Sequence, residues 1–447
     1  MIRNDRRIGI VLIVLGTVIY VLSGIALERG ATGGMADFKA VYFAARCLVL
    51  HTNPYRQSEF QRIFLADGGA FASKGPQNEA LEKAVTICIN LPTSLFVITP
   101  FALLPWSAAH VLWTMLTTLS YFVAALLIWN VAAEFAPILA GVLIGFVLAT
   151  SQVLFAGGNT AGIVVSLCLI TVWCFAQQRY SIAGILCLST ALLLKPHDAG
   201  PIWLFFLLAG SAQRKRALQA AALVVALGLP ATLWTSAAAP QWPRELRTNI
   251  RAVSARGEIN DPGPAANTFR SAAMVVDLQS AIAVFRDDPE FYNSVSYGIC
   301  GALGIVWLFA TLRSSASVAD PWLGLVPILA LTLLVTYHHP YDARLLLASV
   351  PAAVMRWKKG GAIGIAALLS CTAALVVNAD IPIALLKMAT GNVPTDMFGR
   401  FEMILIARPQ PLALLLLTVV FLAMYVQQSW KLRRSGEPTP PPAPTNT

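Results

Sequence analysis

Charge is what this sequence has least of. Only 12% of its 447 residues are Asp, Glu, Lys or Arg, about half the share of an ordinary soluble domain. So few charges cannot coat a water-facing surface, and with 57% hydrophobic residues the chain reads as a membrane bundle and not as two or three soluble domains. Acid is scarcer than base, with 22 Asp and Glu against 32 Lys and Arg. The excess is no nucleic-acid signal, because the basic residues sit in short clusters between apolar runs, which is how membrane topology is encoded. The seven cysteines contain no Cys-x-x-Cys pair and no metal-ligand spacing. Cys168, Cys174, Cys187, Cys300 and Cys371 lie inside apolar runs and read as small core hydrophobes. Cys47 and Cys88 fall in one outward loop, where a bridge is open to them, although spacing does not establish its geometry. There is no phosphate-binding P-loop, no Gly-x-Ser-x-Gly elbow and no dinucleotide fingerprint.

What is present is a series of apolar segments, at 8–27, 106–130, 137–152, 160–178, 181–194, 199–210, 217–237, 293–312, 320–337, 343–356, 361–380 and 411–430. Lipid leaves helices as the means of pairing their backbone groups, so the expected fold is an all-α polytopic bundle of about 12 transmembrane helices. The first segment follows Arg3, Arg6 and Arg7, but at 20 residues (8–27) it outlasts a signal-peptide core of about 7–15 residues, and reads as an uncleaved helix. Leu91 to Leu104 is punctuated by Pro92, Pro100 and Pro105 and reads as a broken half-span.

Alternate connections are basic: Arg179, Arg214 to Arg216, Arg313, Arg356 with Lys358 and Lys359, and Lys431 with Arg433 and Arg434. That pattern predicts both termini in the cytoplasm. The resulting division is a first span (1–27), a first outward loop with a half-span (28–105), spans 2–7 (106–237), a second loop (238–292), spans 8–11 (293–380), a third loop (381–410), a last span (411–430) and a Pro-rich tail (431–447). Polar residues gather in the outward loops, so any chemistry is expected there. Within the first loop Val41, Ala44, Ala45 and Leu48 recur at helical spacing, predicting an amphipathic helix on the membrane surface.

Asp37 begins that helix. It reads either as an N-cap, a common use of Asp, or as a general base at the water–membrane boundary. Lys195 stands in Leu194-Lys195-Pro196-His197-Asp198 between two apolar segments, where an ionisable group points to function; snorkelling or a pair with Asp198 is the alternative. His338 and His339 lie between spans on the same outer side, followed by Asp342 and Arg344. Adjacent histidines point apart on a helix and no carboxylate cluster accompanies them in sequence, so no metal is expected. The run Asp287-Asp288-Pro289-Glu290 reads as a solvated helix entry. Asn267-Thr268-Phe269 lacks the third-position hydroxyl of a glycosylation acceptor.

An Asp soon after the first span, a surface helix, then Asn53-Pro54-Tyr55 resembles glycosyltransferase family 87. So, in order, do the proline-punctuated segment from Leu91 to Trp113, Gly157-Gly158-Asn159, Lys195-Pro196, Asn267-Thr268-Phe269 and Tyr337-His338-His339-Pro340-Tyr341-Asp342. The resemblance covers the chain to about residue 360 and implies a GT-C-like bundle in a bacterial inner membrane. It implies an inverting hexosyltransferase, mannose being the expected sugar, that uses a polyprenyl-phosphate donor, a glycan or glycolipid acceptor and no cofactor. Asp37 would be the base, Lys195, His338, His339 and Arg344 would hold the donor phosphate, and Asn159, Asn267 and Asp342 would make other substrate contacts. A transporter or lipid-linked sugar flippase is the competing class, and an O-antigen ligase or polymerase of different fold is a third.

Overall fold

An apolar chain must pair its backbone groups internally, and the computed structural model does so with helices. The structure describes residues 2–30, 33–71, 76–178, 180–258, 260–263, 275–313, 321–380 and 396–435; among them there is no strand. The helices are α1 (Ile2–Gly30), α2 (Ala36–Val49), α3 (Gln57–Ala66), α4 (Pro76–Val85), α5 (Pro92–Ala102), α6 (Trp106–Ala132), α7 (Pro137–Ala149), α8 (Gln152–Gly157), α9 (Ala161–Ala176), α10 (Ser181–Leu194), α11 (Pro196–Leu208), α12 (Ser211–Ala238) and α13 (Trp242–Val253). They continue as α14 (Leu278–Ile282), α15 (Pro289–Arg313), α16 (Pro321–Val335), a 3₁₀ helix (Asp342–Ala348), α17 (Ser349–Lys358), α18 (Gly361–Val377), α19 (Met397–Ala407) and α20 (Pro409–Ser435).

Among the described residues, five helices are long and apolar enough to cross a membrane: Asn4–Gly30, Trp106–Ala132, Ala212–Ala238, Pro289–Arg313 and Pro409–Trp430. They coincide with five of the twelve apolar segments read from the sequence. Six more apolar helices, α5, α7, α9, α10, α16 and α18, run from 11 to 17 residues, shorter than the roughly 20 residues that span a bilayer upright. The segment 343–356 is a buried 3₁₀ turn leading into α17. The proline-cut stretch is α5, with Pro92 in its first turn and Pro100 inside.

Helices α1 and α7 meet backbone to backbone, through glycines. A Cβ on Gly16 would collide with the Gly145 carbonyl, one on Gly145 would stand 2.7 Å from Leu12 O, and one on Gly141 would stand 2.7 Å from Gly9 Cα. Small residues permit such an approach between membrane helices. Here the obstacle is main chain, which cannot yield as a side chain can. Gly145→Leu is therefore expected to destabilise the protein by about 1–3 kcal/mol, read as a fall of several degrees in the detergent melting temperature.

The three stretches read as outward loops meet at one end of the bundle. Asn53 Nδ2 donates to Glu245 Oε2 at 2.7 Å, and Asn249 Nδ2 donates to Tyr55 O at 3.0 Å and Cys88 O at 2.9 Å, tying α13 onto the Asn53-Pro54-Tyr55 turn. Arg408 donates to Pro262 O at 3.0 Å and to Ser280 O, and Arg400 donates to Phe285 O at 2.7 Å, which brings in the third stretch. One expectation changes here, and one open point closes. The helix α2 is covered rather than laid open on a surface: nine of its fourteen residues, Lys39 and Tyr42 among them, are buried. Cys47 and Cys88 are both buried free thiols and form no bridge. Asn267 lies outside the described residues.

Candidate functional site

Asp37 is the second residue of α2 and does not cap it. Met35 occupies the N-cap with φ 57°, and its N–H donates to Ala156 O at 2.7 Å. This corrects the cap reading, because the Asp37 carboxylate is turned instead toward the neighbouring turn at 157–159. There Asn159 Nδ2 donates to Asp37 Oδ2 at 2.9 Å. The Asn159 amide cannot be reversed, since its Oδ1 accepts the Ala161 N–H at 2.8 Å and only an oxygen can do that. Gly158 closes the approach. It has φ 64°, and a Cβ would stand 2.8 Å from Met35 Cε and 2.9 Å from Phe38 Cβ, so conformation and space both select glycine. Gly158 O accepts from Trp113 Nε1 at 2.9 Å, and Phe38 stacks on Trp113 with centroids 4.5 Å apart.

Burial pushes the Asp37 carboxyl up from its ordinary value, and the Asn159 hydrogen bond and the Lys195 charge offset this only in part. A base with strengthened proton affinity, oriented by one amide and with its second oxygen left over, suits proton abstraction.

Lys195 breaks the chain between α10 and α11, and the break is prepared by α5. Thr93 Oγ1 donates to Leu193 O at 2.7 Å and Ser94 Oγ to Leu194 O at 2.6 Å, satisfying carbonyls that the end of α10 leaves open. The Lys195 side chain is 15% exposed and ion-paired to Asp198 Oδ2 at 3.1 Å and to Asp342 Oδ1. Burial works against its charge, but the two carboxylates outweigh burial and raise its pKa. The pair with Asp198 is thus present, and Lys195 also reaches an element 147 positions away. His338 is fully buried, with Nε2 3.0 Å from Asp198 Oδ1 and Nδ1 2.9 Å from Thr336 O. His339 donates its N–H to Asp342 Oδ2 at 3.0 Å and places Nε2 3.4 Å from Asn260 Oδ1. Asp37 feels the charges of Lys195 and Asp342, so one electrostatic neighbourhood contains Asp37, Asn159, Lys195, His338, His339 and Asp342.

Arg344 belongs elsewhere. At 2% exposure it donates to Asn378 O at 2.6 Å, to Thr150 O at 2.8 Å and to Asp380 Oδ1 at 2.5 Å, while Asp380 Oδ2 accepts the Val153 N–H at 2.7 Å. It satisfies carbonyls just past the ends of α7 and α18, where a cation also suits the helix dipole. A donor-phosphate role for Arg344 is corrected to a structural one. Asp198 and His197, by contrast, join the cluster although the sequence marks them only as neighbours of Lys195. The available signal was an Asp three residues beyond a Lys in an apolar setting, with no sign of the histidine 140 positions away that completes it.

Comparison with protein-family models, with curated proteins and with solved structures gave no match to this chain.

Proposed function

We propose that the protein is an integral membrane inverting glycosyltransferase that moves a hexose, mannose in the first instance, from a polyprenyl phosphate to a glycan or glycolipid acceptor. The proposal includes a GT-C-like bundle of about 12 spans, with some of the shorter apolar helices paired, or the bilayer thinned around them, to complete crossings. It also places both termini in the cytoplasm of a bacterium and the site on the exoplasmic face. The observation that carries it is Asp37: a carboxylate held by one amide, raised in proton affinity, beside an ionic cluster at the end of the bundle where the polar loops converge. In the reaction an acceptor hydroxyl attacks the anomeric carbon as the bond to the phosphate oxygen breaks. The hydroxyl proton passes to Asp37, and the electron pair leaves with the carrier phosphate. Direct displacement inverts the centre and needs no second, nucleophilic carboxylate.

The test is transfer from radiolabelled polyprenyl-phosphate mannose to membrane-extracted acceptors by the purified protein. Label appearing in an acceptor supports the reading; label that only crosses a vesicle membrane sinks it and favours a flippase, for which the buried ion pairs of Lys195 are the supporting feature. The base must be ionised, and its pKa is raised, so the sign follows. Activity is expected to rise with pH through an acid limb displaced upward from that of an ordinary aspartate, and the pH profile of single-turnover transfer checks it.

A further inference from the structure

We propose that His197, Asp198 and His338 form a binding site for one divalent transition-metal ion of the zinc or cobalt type. The inference that this ion meets the donor phosphate rests on the glycosyltransferase reading; the binding of the ion does not.

One ligand atom from each of the three residues lies within 4.8 Å of the others. Two imidazoles and a carboxylate oxygen are the donor set that such ions take when one position is left open for an exogenous oxygen. The histidines come from different parts of the chain, and their ring centroids stand 5.3 Å apart.

His338 supplies an independent observation. Its Nδ1 lies 2.9 Å from the Thr336 carbonyl, which can only accept, so Nδ1 carries hydrogen. Its Nε2 lies 3.0 Å from Asp198 Oδ1, and a carboxylate too can only accept. A neutral imidazole cannot serve both contacts. A second proton would, and so would a cation between Nε2 and Oδ1, with Nδ1–H held by a carbonyl as metal-bound histidines usually are. A second proton alone leaves the nearby His197 unexplained. Its Nε2 is 3.9 Å from the same Asp198 oxygen, and its side chain is 40% exposed, which gives an ion a way in.

Charge points the same way. With His338 neutral, as a metal ligand must be, the single positive charge of Lys195 is outnumbered by the negative charges of Asp198 and Asp342. A phosphate approaching that set meets repulsion, and a divalent ion on Asp198 reverses the sign. Lys195 then holds the other Asp198 oxygen, and the ion's open position faces the anion.

The test uses the full chain purified in detergent, stripped with EDTA and titrated with Co²⁺. Metal content is read by mass spectrometry and ligand geometry by visible absorption. One ion per chain is expected, with the absorption of a low-coordinate site and an affinity at least 10-fold weaker in His197→Ala, whose exposed position spares the fold. Zn²⁺ should displace the Co²⁺. No ion retained, or affinity indifferent to both His197→Ala and Asp198→Asn, overturns the proposal. Sugar transfer by metal-free protein overturns the ion's role at the donor phosphate while leaving the glycosyltransferase reading intact. One tightly held ion in a protein inactive with every carrier-linked sugar supports the metal site and removes the other reading.

Discussion

Asp37→Asn is expected to lower sugar transfer by about three orders of magnitude, the middle of the roughly 10²–10⁴-fold range for a positioned general base, with the fold kept. The substitution is close to isosteric, and the amide oxygen it introduces would still accept from Asn159 Nδ2, so only the proton acceptor is lost. Retained chromatographic profile and melting temperature beside lost single-turnover transfer is the expected result. Transfer within a few fold of wild type would return Asp37 to positioning α2 against the 157–159 turn. Asn159→Ala separates the two roles further. It removes a hydrogen bond that favours the ionised carboxylate, so its acid limb should move to higher pH while activity recovers in alkaline buffer. A purely structural Asn159 would lower activity equally at every pH.

Much of this was legible because lipid makes ionisable groups conspicuous. Asp37, Lys195, His338 and Asp342 stand beside long apolar runs where a charge is costly without a partner, and the structure gives Lys195, His338 and Asp342 ionic or hydrogen-bonded partners within the cluster. Arg344 parts from its sequence neighbour Asp342 for a geometric reason. It lies two residues after Asp342 in a 3₁₀ helix, where each residue turns about 120°, so side chains two apart leave in different directions: Asp342 toward Lys195, Arg344 toward Asp380. Hydropathy located twelve apolar segments but could not say how far each reaches. Among the described residues, five of the helices there are long and apolar enough to cross a membrane. The burial of α2 was hidden for a related reason. Its apolar spacing marks one face, and the cover on the others comes from later elements, as where Tyr42 donates to Leu104 O at 2.6 Å and Lys39 lies 4.1 Å from the Phe71 ring.

Lys195→Met should be the most destabilising single change at the site, by about 3–5 kcal/mol, because it leaves buried carboxylates without their cation. Asp198 and Asp342 are 1% and 2% exposed, so water cannot replace the lost charge. Asp342→Asn should cost less, since Lys195 keeps Asp198 at 3.1 Å and an amide oxygen can still accept the His339 N–H. The double variant should recover part of the loss, with a coupling energy between about 0.5 and 3 kcal/mol for residues in direct contact. Strict additivity in urea unfolding would mean that the pair contributes nothing as a pair. The pH dependence has a definite sign. In the wild type, burial tends to raise the Asp198 pKa, but Lys195 and His338 outweigh burial and hold it below the ordinary value. Its contribution is therefore present above the unfolded value and lost as pH falls. In Lys195→Met the buried carboxylate no longer has that support, and protonation relieves it. The two stability curves should thus lie furthest apart near neutral pH and converge below about pH 4, the unfolded Asp value. A gap that stays constant down to low pH would mean that Lys195 acts through packing of its aliphatic stem and not through its charge.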